Sequence, residues 1–180
     1  MKRFALLALL LAGCAGNGDT SAQADAAAEV TPQAESVGTP QTDGYAPTDV
    51  TFAPDLAVDL DAMSLQESGL YVQVLREGEG RQAVAGDPMG IHYTVWLTDG
   101  SKLDSSYDHQ PPGPYPTVLG VTPLIDGWNE GVTGMRQGEM RRLVVPYQLG
   151  YGPNGRPGVP GYATLVFEVE LTGHTPAADQ

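Results

Sequence analysis

The chain is short of the residues on which much catalytic chemistry runs. Its 180 residues include a single cysteine, Cys14, which excludes an internal disulfide and a cysteine-rich zinc site. Its three histidines, His92, His109 and His174, have no metal-ligand spacing. Basic residues are scarce, nine against 22 acidic ones, for a formal net charge of −13. That balance argues against the clustered Lys and Arg a nucleic-acid partner requires, and no such partner is expected. No apolar run approaches the roughly 20 residues of a membrane-spanning helix. Ser105 lies in no Gly-x-Ser-x-Gly context, and the glycine-rich stretch 150–161 lacks a Gly-Lys-Ser/Thr ending. A hydrolase elbow and a phosphate loop are therefore not expected.

What is present starts with Lys2 and Arg3, then an apolar run at 4–12 that ends in Leu11-Ala12-Gly13-Cys14. The run fits the core of a secretory signal peptide over 1–13. Its ending resembles the lipobox of bacterial lipoproteins. That resemblance implies cleavage before Cys14, lipid attachment at Cys14 and a membrane anchor. An ordinary signal with a stray cysteine, or a buried helix, is the plainer reading. Buried methylenes contribute about 0.8 kcal/mol each, so several acyl chains anchor stably where one does not. Ala15, rather than Asp, follows the cysteine. By analogy with enteric sorting rules this favours the periplasmic face of the outer membrane in a Gram-negative host.

Nine acidic residues and no Lys or Arg lie between 15 and 63: Asp19, Asp25, Glu29, Glu35, Asp43, Asp49, Asp55, Asp59 and Asp61. Residues 14–49 have no helical or strand period and read as a disordered acidic tether behind the lipid-attachment cysteine. A flexible coil of about 35 residues reaches on the order of 30 Å. Residues 50–63 carry Val50, Phe52, Leu56, Val58, Leu60 and Met63 and read as a partly ordered N-terminal extension. Residues 64–173 form the expected folded domain, and 174–180 a disordered tail. With no N-terminal heptad helix, a monomer is expected.

With 23 Gly and 15 Pro, the chain favours turns over long helices. Strands are expected at 70–75, 91–97, 102–105, 118–119, 140–145 and 164–172, with a hairpin turn at Asp99-Gly100. The four prolines of 110–116 mark an irregular loop. Residues 124–135 are the best helix candidate, limited by Gly127, Gly131 and Gly134. The sum is an α+β domain: an antiparallel sheet with one short helix covering a face.

Through this β-type sequence run Asp104, Tyr115, Leu124, Ile125, Trp128, Tyr151 and Phe167. They are mostly rings and aliphatics with one carboxylate, and no nucleophile–base pair accompanies them. Such a set can line a dry pocket with one or two polar handles, suited to a reaction without proton transfer. Taken singly, Trp128 and Phe167 also fit a plain core, Asp104 a turn or cap, and Tyr93 and Tyr151 half-buried surface rings.

Read in order, several motifs then converge. They are His92-Tyr93-Thr94, Asp99-Gly100-Ser101-Lys102-Leu103-Asp104-Ser105-Ser106, Leu124-Ile125-Asp126-Gly127-Trp128-Asn129-Glu130-Gly131, Gly150-Tyr151-Gly152 and Ala163-Thr164-Leu165-Val166-Phe167-Glu168-Val169-Glu170-Leu171. This series resembles the FKBP-type peptidyl-prolyl cis–trans isomerases over about 110 residues. The resemblance implies a twisted antiparallel sheet wrapped around one short helix. It implies a pocket of Tyr93, Leu103, Asp104, Tyr115, Leu124, Ile125, Trp128, Tyr151 and Phe167. Trp128 would be its floor, the Ile125 N–H and Tyr151 hydroxyl its donors, and Asp104 the carboxylate at its wall.

The same resemblance implies catalysis of rotation about X–Pro bonds without cofactor or metal. Implied partners are proline-containing polypeptides and macrolide immunosuppressants of the FKBP-ligand type. Several positions depart from the common pattern. Leu103 stands for an aromatic, Tyr115 for Phe, Val95 for Gly and Arg156 for His. Residues 155–161 are one residue short, and residues 146–151 one residue long. Combined with the lipobox, the expected role is assisting the folding of exported envelope proteins. A non-catalytic binding or chaperone module with the same pocket is the alternative.

Overall fold

The computed structural model describes residues 45–175. The signal segment 1–13, Cys14, the tether up to residue 44 and the tail from 176 lie outside the described residues. The strands are β1 (Ser64–Leu65), β2 (Tyr71–Arg76), β3 (Glu79–Gln82), β4 (Pro88–Leu97), β5 (Lys102–Ser105), β6 (Tyr115–Val118), β7 (Arg136–Gln137), β8 (Met140–Val145) and β9 (Leu165–His174). One α-helix, α1 (Asp126–Val132), lies between β6 and β7. The main sheet has the order β1-β2-β8-β9-β4-β5, with β6 also pairing with β4, and β3 pairs with β7 apart from it. All strand pairings are antiparallel.

The alternation of β4 explains its place. Met89, Ile91 and Val95 are buried on one face, together with Leu143 and Val145 of β8 and Leu165, Phe167, Val169 and Leu171 of β9. The period of two puts these side chains on the side that α1 covers with Trp128 and Val132. The opposite face carries Val144 and Val166, both essentially inaccessible. Residues 52–63 cover it. Leu56 and Met63 are buried there, with Phe52, Ala53, Val58 and Leu60 packed around them. Each fully buried side chain of this size contributes about 1.5–3 kcal/mol. Residues 50–63, expected only partly ordered, thus form single-turn helices at Pro54–Leu56 and Leu60–Ala62 against the sheet. The last tether residues carry a similar turn, Pro47–Asp49.

Several boundaries differ from expectation. The strand expected at 118–119 is instead Tyr115–Val118, so Pro116 belongs to a strand rather than to the loop. β6 pairs with one neighbour, β4, and an edge strand tolerates a residue without an N–H. Glu79–Gln82 form β3, a strand outside those expected from the sequence. His174, expected in the disordered tail, is the last residue of β9 and pairs opposite Met89.

The helix is shorter than residues 124–135 because Gly134, at φ +75°, turns the chain after the C-cap Thr133. Gly127 and Gly131 have a further use: they let α1 lie close to β8. A Cβ on Gly127 would sit 2.5 Å from Val145 Cγ1, and one on Gly131 2.4 Å from Leu143 Cδ1. Arg141 of β8 fixes the far end of the helix, donating from Nη1 to the carbonyls of Gly131 (2.8 Å) and Thr133 (3.1 Å). Its Nε donates to the buried carboxylate of Glu139 at 2.6 Å. The α1 backbone is therefore held at a set depth over the sheet, and so is Trp128.

Candidate active site

Where α1 approaches the open end of the sheet, a cleft of about 310 Å³ is lined by Tyr93, Val95, Asp104, Tyr115, Pro123, Leu124, Ile125, Trp128, Tyr151, Arg156 and Phe167. Its floor is buried: Trp128 is 4% exposed, and Val95 and Phe167 are 5% exposed each. Tyr93 and Val95 come from alternate positions of β4, Asp104 from β5, Tyr115 from β6, Trp128 from α1 and Phe167 from β9. Five elements thus converge on one cleft. The Tyr93 and Tyr115 rings meet edge to face, with centroids 6.2 Å apart.

The polar side of the cleft is built around Asp104. The Tyr93 hydroxyl donates to Oδ2 at 2.6 Å, and the Ser105 N–H donates to Oδ1 at 2.8 Å. His109 Nε2 lies 3.0 Å from the same Oδ1. Buried serines hold this corner. Ser105 Oγ is 2.9 Å from Thr94 Oγ1, and Ser106 Oγ accepts from the Tyr93 N–H at 3.0 Å. Burial pushes the Asp104 carboxyl pKa up, but Tyr93, His109 and the Ser105 N–H together outweigh it and leave the pKa below the usual value. Burial, and then the bond to Asp104, raises the Tyr93 phenol well above its ordinary value. At neutral pH the pair is a carboxylate and a neutral phenol. Neither is poised to exchange a proton with a substrate.

The cleft keeps two donors unspent. Ile125 precedes α1 in extended backbone (φ −63°, ψ 148°), and among the described residues nothing accepts its N–H. The Tyr151 hydroxyl likewise has no partner among the described residues, while the Tyr151 ring carries the Arg156 guanidinium, with Cζ 4.2 Å from its centroid. No group of three or more His, Cys, Asp or Glu among the described residues could hold a metal ion.

Of the residues the sequence pointed to, Tyr93, Asp104, Tyr115, Leu124, Ile125, Trp128, Tyr151 and Phe167 share this cleft. Leu103 does not line it. The β4–β5 register passes from Val95 opposite Asp104 to Trp96 opposite Lys102, so Leu103 is the extra residue of a bulge, and its side chain packs against the core. Cys14 lies outside the described residues. Val95, Pro123 and Arg156 line the cleft without having been assigned to it. Val95 had a usable signal, since it stands two residues from Tyr93 and must face the same way. Pro123 and Arg156 sit in loops, where no period announces direction.

Comparison with known proteins agrees with this geometry. The family model for FKBP-type peptidyl-prolyl cis-trans isomerase matches residues 79–172. The FK506-binding protein of Neisseria meningitidis serogroup B is 48% identical over 104 residues, which are 57% of this chain and 94% of that protein. The FKBP-type peptidyl-prolyl cis-trans isomerase FkpA of Aeromonas hydrophila is 43% identical over 114 residues, 63% of this chain and 41% of the relative. Among solved structures, FkpA from Escherichia coli superposes with a TM-score of 0.60 at 34% identity, covering 69% of this chain and 56% of that one. With the family model matching more than half of its length and the cleft assembled from the same stretch, the chain belongs to the FKBP-type peptidyl-prolyl cis–trans isomerases.

Proposed function

We propose that this isomerase is a lipid-anchored, monomeric enzyme of the cell envelope, and that its cleft catalyses X–Pro rotation in exported polypeptides by removing water from the amide. Resonance gives the peptide C–N bond a rotation barrier of about 18–20 kcal/mol. The planar amide is the more polar form, because its carbonyl oxygen carries partial negative charge that water stabilises. Twisting the bond ends the resonance and lowers that polarity. A site without water therefore disfavours the planar form relative to the twisted one.

In this reading the proline ring rests on Trp128 between Tyr93, Tyr115 and Phe167. The Ile125 N–H donates to the substrate carbonyl, and the Tyr151 hydroxyl donates to the neighbouring backbone. Asp104 acts on Tyr93, holding its ring and hydroxyl in place. The observation that carries the proposal is the pairing of a buried aromatic floor with two donors that the protein itself leaves unused. The family binds proline-containing chains and FK506-type ligands in general, which the same floor suits. The anchor and the envelope location rest on Leu11-Ala12-Gly13-Cys14 behind a short apolar run.

The cis-to-trans rate of a short X–Pro peptide tests the roles. Tyr151→Phe, which removes one hydroxyl, lowers kcat/KM by several-fold. Trp128→Phe, which keeps a ring but shortens the floor, chiefly raises KM. Rates unchanged in both variants would refute these assignments. For the anchor, Cys14→Ser releases the protein from the membrane fraction and abolishes incorporation of labelled fatty acid. A membrane-bound, labelled Cys14→Ser protein would refute lipidation at that residue.

A further inference from the structure

Resting on the isomerase reading of this cleft, we propose that Arg156 makes the enzyme select prolines flanked by an acidic residue. Arg156 and Asp104 are the two formally charged side chains that line the cleft. Asp104 is occupied: Tyr93, His109 and the Ser105 N–H all converge on its carboxylate. Arg156 is not. Among the described residues its guanidinium has no carboxylate within ion-pair distance, and its one side-chain contact of note is the face of Tyr151. Stacking on a ring uses the face of the guanidinium and leaves its N–H groups around the rim, where they match the two oxygens of a carboxylate.

The turn that presents Arg156 is built rather than loose. Its N–H donates to the Val159 carbonyl at 2.9 Å, and the Val159 N–H donates back at 2.8 Å. Val159 is 5% exposed, which anchors the turn in the core. Gly155, at φ +64°, lets the backbone double back, since a Cβ there would meet the Val159 oxygen at 2.2 Å. The Tyr162 N–H closes the base of the loop on the Gly152 carbonyl at 3.1 Å. The cation is thus held beside Tyr151 at the exposed edge of the cleft, which in the isomerase reading meets the chain flanking a bound proline. A neighbouring Asp or Glu there meets a planar donor, and a Lys meets like charge.

The chain's net charge of −13 opposes acidic substrates at long range, but screening over about 8 Å at physiological salt confines that field. The local contact then decides. The test uses the full chain and matched X–Pro peptides carrying Glu, Gln or Lys before the proline and, in a second set, after it. The readout is the ratio of kcat/KM values within each protein, so an overall loss of activity in a variant does not enter. In at least one set, the Glu peptide exceeds the Gln peptide by about two- to fivefold, the range of exposed ion pairs, and the Lys peptide falls below both. Arg156→Gln brings the Glu-to-Gln ratio to one or lower, Arg156→Lys keeps part of it, and Arg156→Glu inverts it toward the Lys peptide. A Glu-to-Gln ratio identical in the wild type and Arg156→Gln overturns the inference while leaving the isomerase reading intact. If the full chain turns over no peptide above background, that reading fails and this one with it.

Discussion

At the residue scale, the cleft depends on one carboxylate whose work is indirect. Asp104 faces the substrate space, yet both its oxygens are committed to Tyr93, His109 and the Ser105 N–H. Asp104→Ala therefore loosens Tyr93 and lowers kcat/KM by roughly tenfold, a barrier change of about 1.36 kcal/mol. In Asp104→Asn, a spectroscopic titration finds the Tyr93 phenol moved down from its raised position, because the bond to a charged acceptor and the repulsion by it are gone. Burial remains, so the return is partial.

The linkage has a definite sign. The folded Asp104 carboxyl sits below its usual pKa, so its contribution to stability is present above the ordinary carboxylate range and is lost as pH falls through the lowered value. Tyr93 is raised, so its contribution is present below 10.0 and is lost as pH climbs toward the folded value. Denaturation midpoints measured against pH show both limbs in the wild type, and Asp104→Asn flattens the acid one. Little of this was legible in sequence. Asp104 before Ser105-Ser106 looks as much like a turn as a site, and what distinguishes it is Tyr93, eleven residues away across a strand pair.

At the element scale, α1 and the loop after β8 place the site, and both are held by contacts the sequence does not display. The glycines of α1 first read as a limit on helix length; Gly134 is one, but Gly127 and Gly131 set the depth of the helix over β8. Gly127→Ala forces a methyl against Val145, a stiff branched side chain with no room to turn. Urea unfolding shows a loss of about 1–3 kcal/mol, the usual cost of overpacking, and KM rises because Trp128 next to it is lifted.

The loop bearing Tyr151 and Arg156 is held at its far end by three rings. Tyr162 stacks on Tyr45 at 4.3 Å between centroids and meets Tyr147 edge-on at 5.0 Å. Tyr162 holds φ at +60°, a conformation a side chain adopts only under restraint, and these rings supply it. Tyr45→Ala removes the stacked partner, and limited proteolysis then cuts within 152–161 faster than in the wild type.

At the scale of the whole molecule, the main sheet of the described residues is covered on both faces. The helix side holds the cleft, and the N-terminal extension seals the other side. Leu56→Ala leaves a cavity between Val144 and Val166 and lowers stability by about 2–5 kcal/mol in chemical denaturation, while kcat/KM changes little because the cleft lies across the sheet. A fragment starting at residue 64 would expose that face.

Six of the nine strands, the single helix and most cleft residues could be read from this chain, through alternation along β4 and β9, turn chemistry at Asp99-Gly100, and the family resemblance of an ordered series of motifs within about 110 residues. What only the tertiary structure decided depends on contacts between distant segments. It turned Leu103 into the core through a bulge, recruited Val95, Pro123 and Arg156 to the cleft, and used residues 52–63 as a lid on the sheet. Periodicity tells which way a side chain faces within its own strand. It carries no information about which remote segment will pack against that face, because that choice is made by the burial of apolar surface the two share.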